Sequence, residues 1–194
     1  MSKIILFLYG AVFAILALIL FTFALNWYLN KNASYNNVLS KKTLIVYYSQ
    51  SNHTEKIANM IKKQLNCDIE KIKSEEYENI NSIKLNNLVN EQMQKDYLPK
   101  INKIDISNYD VIFIGSPVWK NDISLPVKSF LVNNNFNGKT IIPFYTFGGF
   151  VNKSKLDNQI KIFSRTDNVQ MSFLTICHKL AFMEYRLVKW LNKL

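Results

Sequence analysis

From Ile4 to Leu25 the chain runs for 22 residues without a charge, IILFLYGAVFAILALILFTFAL. A helix needs about 20 apolar residues to cross the hydrocarbon core of a bilayer, and Trp27 and Tyr28 follow at the interface position. A cleaved signal peptide has a shorter apolar region, of about 7–15 residues, that ends at a small-x-small site; no convincing site of that kind follows. The expectation is a transmembrane anchor over residues 1–29, a polar tether over 30–41 and one folded unit over 42–194. Lys3 lies on one side of the run, and Lys31, Lys41 and Lys42 on the other. The positive-inside rule then points to a cytoplasmic C-terminal unit on a single-pass anchor.

The 194 residues are enough for one ordinary domain plus an anchor, and short for two domains with separate cores. The formal net charge is +10; Lys3 and Lys31 account for two of it, leaving +8 for residues 41–194. A basic domain suits nucleic acid, an anionic lipid surface or an acidic protein. The chain carries no nucleic-acid motif, and beside a bilayer lipid attraction is the simpler source. Cys67 and Cys177 lie far apart, without metal spacing or a CxxC pair, and read as two buried thiols. His53 and His178 have no metal partners nearby, so no metal site is expected.

After the tether, short β-rich runs alternate with helical patterns. Thr43–Tyr48, Cys67–Ile72, Asp110–Gly115, Thr140–Phe144 and Val169–Ile176 read as strands. Helices are expected from Thr54 onward, where Ile57, Met60, Ile61 and Leu65 recur at helical spacing, and over Glu75–Asp96, Ile123–Val132, 154–164 and Lys179–Lys193. Pro126 falls in the first turn of its helix, where a missing N–H costs little. Alternation of this kind implies an α/β fold, a doubly wound five-stranded parallel sheet covered on both faces. Ligands of such sheets bind outside the carboxyl ends of the strands, so the loops after the first, third and fourth strands are where a site belongs.

The first of these, Ser49, Gln50, Ser51, Asn52, His53 and Thr54, sets hydroxyls and backbone N–H groups at the positive end of a helix, a cradle for phosphate or a plain helix cap. The second, Ser116, Pro117, Val118, Trp119, Lys120 and Asn121, offers a flat aromatic face in a loop stiffened by proline. The third, Thr146, Phe147, Gly148 and Gly149, has paired glycines that let a backbone approach a ligand.

YYSQSNHTEKIA resembles the phosphate-binding signature of flavodoxins, YDVIFIGSPVWKNDISLPVKSFL their central strand and flavin-stacking loop, and GKTIIPFYTFGGF the strand and glycine loop that complete the site. The resemblance covers roughly residues 42–178. It implies a flavodoxin-like fold of strand order 2-1-3-4-5 that binds flavin mononucleotide (FMN). Ser49, Ser51, Asn52, His53 and Thr54 would hold the phosphate; Val118, Trp119, Lys120 and Asn121 would lie against one side of the ring; Thr146, Phe147, Gly148 and Gly149 would approach its other edge. The family usually has Gly at the position of Asn52, and often a second aromatic and a Gly where Lys120 and Asn121 stand. Asn enters positive φ at tolerable cost, which keeps the loop shapes accessible. Lys120 would place a positive charge by the ring and raise its potential.

The implied activity is electron transfer to a redox partner protein or a quinone, with no catalytic side chain. An NAD(P)H-dependent quinone reductase is the alternative on the same scaffold. A membrane-tethered interaction module that has lost the flavin is the other.

Overall fold

The computed structural model describes residues 3–31, 41–177 and 183–194. The expected tether lies outside the described residues over 32–40. Helices run as α1 (Lys3–Lys31), α2 (His53–Leu65), α3 (Ser82–Gln94), α4 (Leu125–Asn133), α5 (Lys153–Ser164) and α6 (Met183–Leu191). Strands are β1 (Thr43–Tyr47), β2 (Asp68–Lys71), β3 (Val111–Trp119), β4 (Asp122–Ile123), β5 (Thr140–Phe147) and β6 (Phe173–Ile176). Five of these form a parallel sheet in the order β2-β1-β3-β5-β6, with β4 paired to β3.

The strand order matches the expectation once β4 is set aside, but the sheet has six strands and not five. β4 folds back antiparallel, Val118 opposite Ile123 and Trp119 opposite Asp122. Lys120 and Asn121 between them both hold positive φ, 51° and 63°, as a two-residue hairpin turn with the twist of its strands requires. β3 also extends through Ser116–Trp119 and β5 through Thr146–Phe147, so those residues of the expected loops lie in strand ends. The single helix expected over Glu75–Asp96 is divided into a 3-10 turn, Glu75–Tyr77, and α3. Asn79 at φ 53° breaks the run, and the Asn81 side chain restarts it by accepting the Lys84 amide at 2.9 Å.

Alternate residues along each strand feed two separate cores, the period-2 consequence of a pleated strand. Leu44, Val46, Ile112, Ile114, Ile141 and Tyr145 pack under α4 and α5. Ile45, Tyr47, Val111, Phe113, Ile142 and Phe144 pack under α2 and α6. β2 lies at one edge, paired to β1 on one side only, and the alternating exposed charges Asp68 and Glu70 protect its open side.

α1 stands apart from both cores. Its described side chains over 9–25 are nearly all exposed, among them Phe13 at 75 %, Leu20 at 69 % and Phe23 at 71 %. Among the described residues no helix is long and apolar enough to cross a membrane. The expected anchor reaches past that stretch into 1–8, 26, 27 and 29, whose side chains are outside the described ones.

Gly115 sets how closely the carboxyl ends of the central strands pack. A Cβ added there would sit 2.3 Å from the Phe144 ring and 2.8 Å from Tyr47 Cβ. Gly115→Ala should therefore destabilise the fold by about 1–3 kcal/mol, the usual cost of overpacking. A thermal melt followed by near-ultraviolet circular dichroism checks this, and an unchanged midpoint would mean the ring moves aside freely.

Candidate functional site

At the carboxyl edge of the sheet the loops after β1, β3 and β5 converge, and each is tied to the other two. The Thr54 and Thr146 hydroxyls, 1 % and 2 % exposed, share a hydrogen bond of 2.8 Å that joins the first loop to the third. The Asn152 amide donates to Asn121 Oδ1 at 2.7 Å and joins the third to the second. Tyr48 and Trp119 meet edge to face, centroids 5.5 Å apart, and join the first to the second.

The first loop delivers the chain into α2. Asn52 takes φ 60°, and its side chain makes no cap hydrogen bond. Asn81 and Asn152, at the same position before α3 and α5, do cap their helices. In α2 the corresponding amide, that of Glu55, is taken by Ser49 Oγ from behind, so the Asn52 side chain is not used as a cap and stays out at the mouth. Ser51 and Asn52 are exposed there and His53 is half-buried. Ser49 is turned inward, its Oγ accepting the Glu55 amide at 3.3 Å. Gln50 is committed elsewhere: its Oε1 accepts from Tyr48 and its Nε2 donates to the Tyr77 carbonyl.

In the second segment, Ser116 is fully buried. Its Oγ accepts the Ser124 amide at 2.9 Å and donates to the Pro117 carbonyl at 2.8 Å. Ser116 thus fixes the start of α4. Pro117, Val118, Trp119 and Asn121 are half-buried and Lys120 is exposed. Trp119 is wedged between Tyr48 and Tyr77, whose centroid lies 5.2 Å away. Burial, then Glu78 for Tyr48 and Glu76 for Tyr77, pushes both phenols far above their usual range, so both rings stay neutral. Tyr77 went unmarked in the sequence because its ring reaches Trp119 from 42 positions away, a distance no local pattern spans.

The hairpin tip is clamped to α5. Asp122 meets Lys155 at 2.5 Å and Lys128 at 3.6 Å and accepts from Gln159 Nε2 at 2.8 Å, while Gln159 Oε1 accepts the Ile123 amide. Burial works to raise the Asp122 pKa, but Lys155, Lys128 and Gln159 outweigh it and hold the carboxyl below the usual range. In the third loop, Tyr145 donates to Asp157 Oδ1 at 2.9 Å. Phe147 is half-buried; Gly148, Gly149 and Phe150 are exposed. A Cβ at Gly148 or Gly149 would meet nothing within 4 Å, so packing within the domain does not require glycine at either.

Cys67 and Cys177 are free and half-buried, not fully buried as expected. Burial pushes the Cys67 thiol up to about 11, so it is inert near neutrality. No group of His, Cys, Asp and Glu among the described residues could hold a metal ion. The arrangement suits an anion at the mouth of α2 with a flat ring beside Trp119 and the glycine loop.

Comparison with known proteins agrees with the fold. The family model described as flavodoxin matches residues 42–194. A flavoprotein from Lactobacillus acidophilus, solved in complex with FMN, is 28 % identical; the match covers 69 % of this chain and 92 % of that one, at a TM-score of 0.57. A candidate flavoprotein from Bacteroides eggerthii matches at 22 % identity over 79 % of this chain and 97 % of its own, at a TM-score of 0.67. A flavodoxin, WrbA-like protein from Agrobacterium tumefaciens shares the fold at 13 % identity over 78 % and 92 %, at a TM-score of 0.51. No curated protein matches the chain.

Two outcomes follow from the ties. Thr54→Val and Thr146→Val should each cost about 1–3 kcal/mol, because each strands a buried hydroxyl, and the double variant should cost less than their sum. Chemical denaturation of the three variants reads the difference, and strict additivity would mean the hydroxyls do not interact. For Asp122, a depressed folded pKa gives stability that is present above the unfolded value of about 3.9 and is lost as pH falls through the folded value. The stability gap between the parent and Asp122→Asn should thus be full at neutral pH and close on acidification below that value; a gap constant down to pH about 2 would contradict the clamp.

Proposed function

Since the chain belongs to the flavodoxin family, we propose that it binds FMN at the carboxyl edge of the sheet and works as an electron-transfer protein held at a membrane by α1. The observation that carries the cofactor is the mouth of α2, with Asn52 in the left-handed region and no side-chain cap. The donor set fits a phosphate there: the Ser51 hydroxyl and the backbone amides that precede Glu55, at the positive end of a helix. Ser49 and Thr54 would shape this cradle from behind, since their hydroxyls are already engaged.

Trp119 and Lys120 would flank one side of the ring. The Tyr48 and Tyr77 rings hold the Trp119 indole in place, and the Asp122 clamp fixes the turn that bears Lys120. Thr146, Phe147, Gly148 and Gly149 would face the other edge, where the absence of side chains leaves open space. FMN, when bound, accepts and passes the electrons, and the polypeptide supplies binding, orientation and electrostatics.

The anchor is supported by α1 itself. Its described side chains are apolar and exposed on all sides, and a helix apolar all round needs an apolar surrounding. Together with the 22-residue uncharged run, this favours a single-pass span with the domain on the cytoplasmic side.

A second reading, an NAD(P)H-dependent quinone reductase, draws on one observation. A cavity of about 340 Å³ lies beside Trp119, lined by Leu85, Val89 and Val118 with Ser82, Asn86 and Lys120. It is large enough for a small apolar acceptor. Oxidation of NAD(P)H with a quinone at rates above free FMN would favour the reductase.

Full-length protein purified in detergent and incubated with FMN should show flavin bands at about 370 and about 450 nm, with the flavin fluorescence quenched by Trp119. A colourless protein would leave an interaction module. Asn52→Val puts a β-branched residue at φ 60°, and FMN affinity should fall about tenfold or more, at about 1–2 kcal/mol of backbone strain. Unchanged affinity would place the phosphate elsewhere. A reporter enzyme fused after Leu194 should be active only on the cytoplasmic side.

A further inference from the structure

The bases of the domain are divided unevenly between the two edges of the sheet. In a parallel sheet every strand enters at one edge and the covering helices end there. Lys41 and Lys42 lead into β1, Lys62 and Lys63 close α2, Lys139 leads into β5 and Arg165 follows α5. Helix-dipole complementarity accounts for Lys62 and Lys63. It does not account for Lys41 and Lys42, which precede β1; Lys139 donates to the Ser107 and Tyr109 carbonyls at 3.2 and 2.7 Å and keeps its charge at this edge.

The acids on this edge are engaged with other groups. Asp68 accepts the Tyr109 hydroxyl at 2.8 Å, Asp105 the Ser107 amide at 2.9 Å and Asp110 the Lys42 amide at 3.1 Å; Asp167 lies beyond Arg165 in the chain. Among the described residues no ion pair uses Lys41, Lys42, Lys62, Lys63, Lys139 or Arg165. The opposite edge, which carries the candidate site, groups Glu75, Glu76 and Glu78 in one turn, with Lys73 and Lys100 beside them. Ile162, 61 % exposed, precedes Arg165 by three residues and adds an apolar side chain to the basic edge.

We propose that the amino-terminal edge of the sheet docks on an anionic bilayer surface, so that the site at the opposite edge faces away from the lipid. The partner is argued from charge and continuity. Lys41 and Lys42 stand where the segment following α1 enters the domain, and this rests on the reading of α1 as a membrane anchor. Bases within a Debye length of the surface, about 8 Å at physiological salt, attract anionic headgroups, and the acid turn beside the site is repelled by them. The charge of the domain thus sets which end of the sheet meets the lipid.

Flotation and hydrogen exchange of the full-length protein, on phosphatidylcholine vesicles and on vesicles that also contain phosphatidylglycerol, separate the two readings. Docking predicts that amides in 41–43, 62–66, 137–140 and 161–167 exchange several-fold more slowly on the anionic vesicles only, and that high salt reverses this. Amides in 49–54 and 118–122 should be unaffected. A Lys62→Glu, Lys63→Glu, Arg165→Glu variant should lose the protection while it still floats and keeps its FMN spectrum. Equal protection on both vesicle types, or protection at 118–122 and 147–152, would overturn the proposal. Failure to float on phosphatidylcholine would count against the anchor alone, because protection specific to phosphatidylglycerol would still establish the docking edge.

Discussion

The burial of β3 on both faces is the constraint from which the rest of the domain follows. Ile112, Phe113 and Ile114 are fully buried, with alternate side chains in separate cores, so the strand requires helices above and below it and a strand on either side. β1 and β5 supply those neighbours in parallel. Parallel pairing forces each connection to cross over as a helix, and this brings the loops after β1, β3 and β5 to a common edge. Gly115 lets the three strands close up just below that edge. The location of the site is thus a consequence of packing before any functional residue is considered.

What turns three neighbouring loops into one site is polar and specific. The Thr54–Thr146 pair is buried, where each hydroxyl would suffer if its partner were lost. The Asn121–Asn152 contact and the Asp122 clamp lie nearer the surface and hold the hairpin against α5. The two departures from glycine at Asn52 and Asn121 fit this scheme. Both take positive φ, and Asn121 uses its side chain for a tie that glycine lacks. Lys120 is exposed, and its left-handed backbone is sustained by the hairpin and the clamp around it.

The elements with a strong local period were legible in the sequence. β1, α2, β3 and β5 each carry enough consecutive apolar or periodic residues to declare themselves, and the strand order followed from the resemblance. The hairpin was not legible, because Lys-Asn lacks the glycine by which such turns are recognised. The division of 75–96 turned on Asn79 and Asn81, whose roles as breaker and cap are visible only once the backbone is placed. Of the candidate site, the three segments singled out in the sequence do meet at one edge of the sheet, while the commitments of Gln50 to Tyr77 and of Ser116 to Ser124 were hidden. Those depend on tertiary distance, which composition and spacing do not carry.

A parallel sheet also has a direction, and electrostatics make use of it here. All the entering strands share one edge with the ends of the helices, and Lys41, Lys42, Lys62, Lys63, Lys139 and Arg165 collect there against fewer acids; Asp68, Asp105 and Asp110 keep their charge and are held by Tyr109 and by backbone amides. At the other edge several bases are paired with acids: Lys71 with Glu55 joins β2 to α2, and Lys155 with Asp122 joins α5 to the hairpin. A domain with +8 overall is therefore not uniformly basic. Its excess lies away from the site, leaving Lys120 as a local charge beside the ring position on a background near balance. An anionic surface would then be drawn to the end of the sheet away from the site, and the loops at the carboxyl edge would stay open to a redox partner.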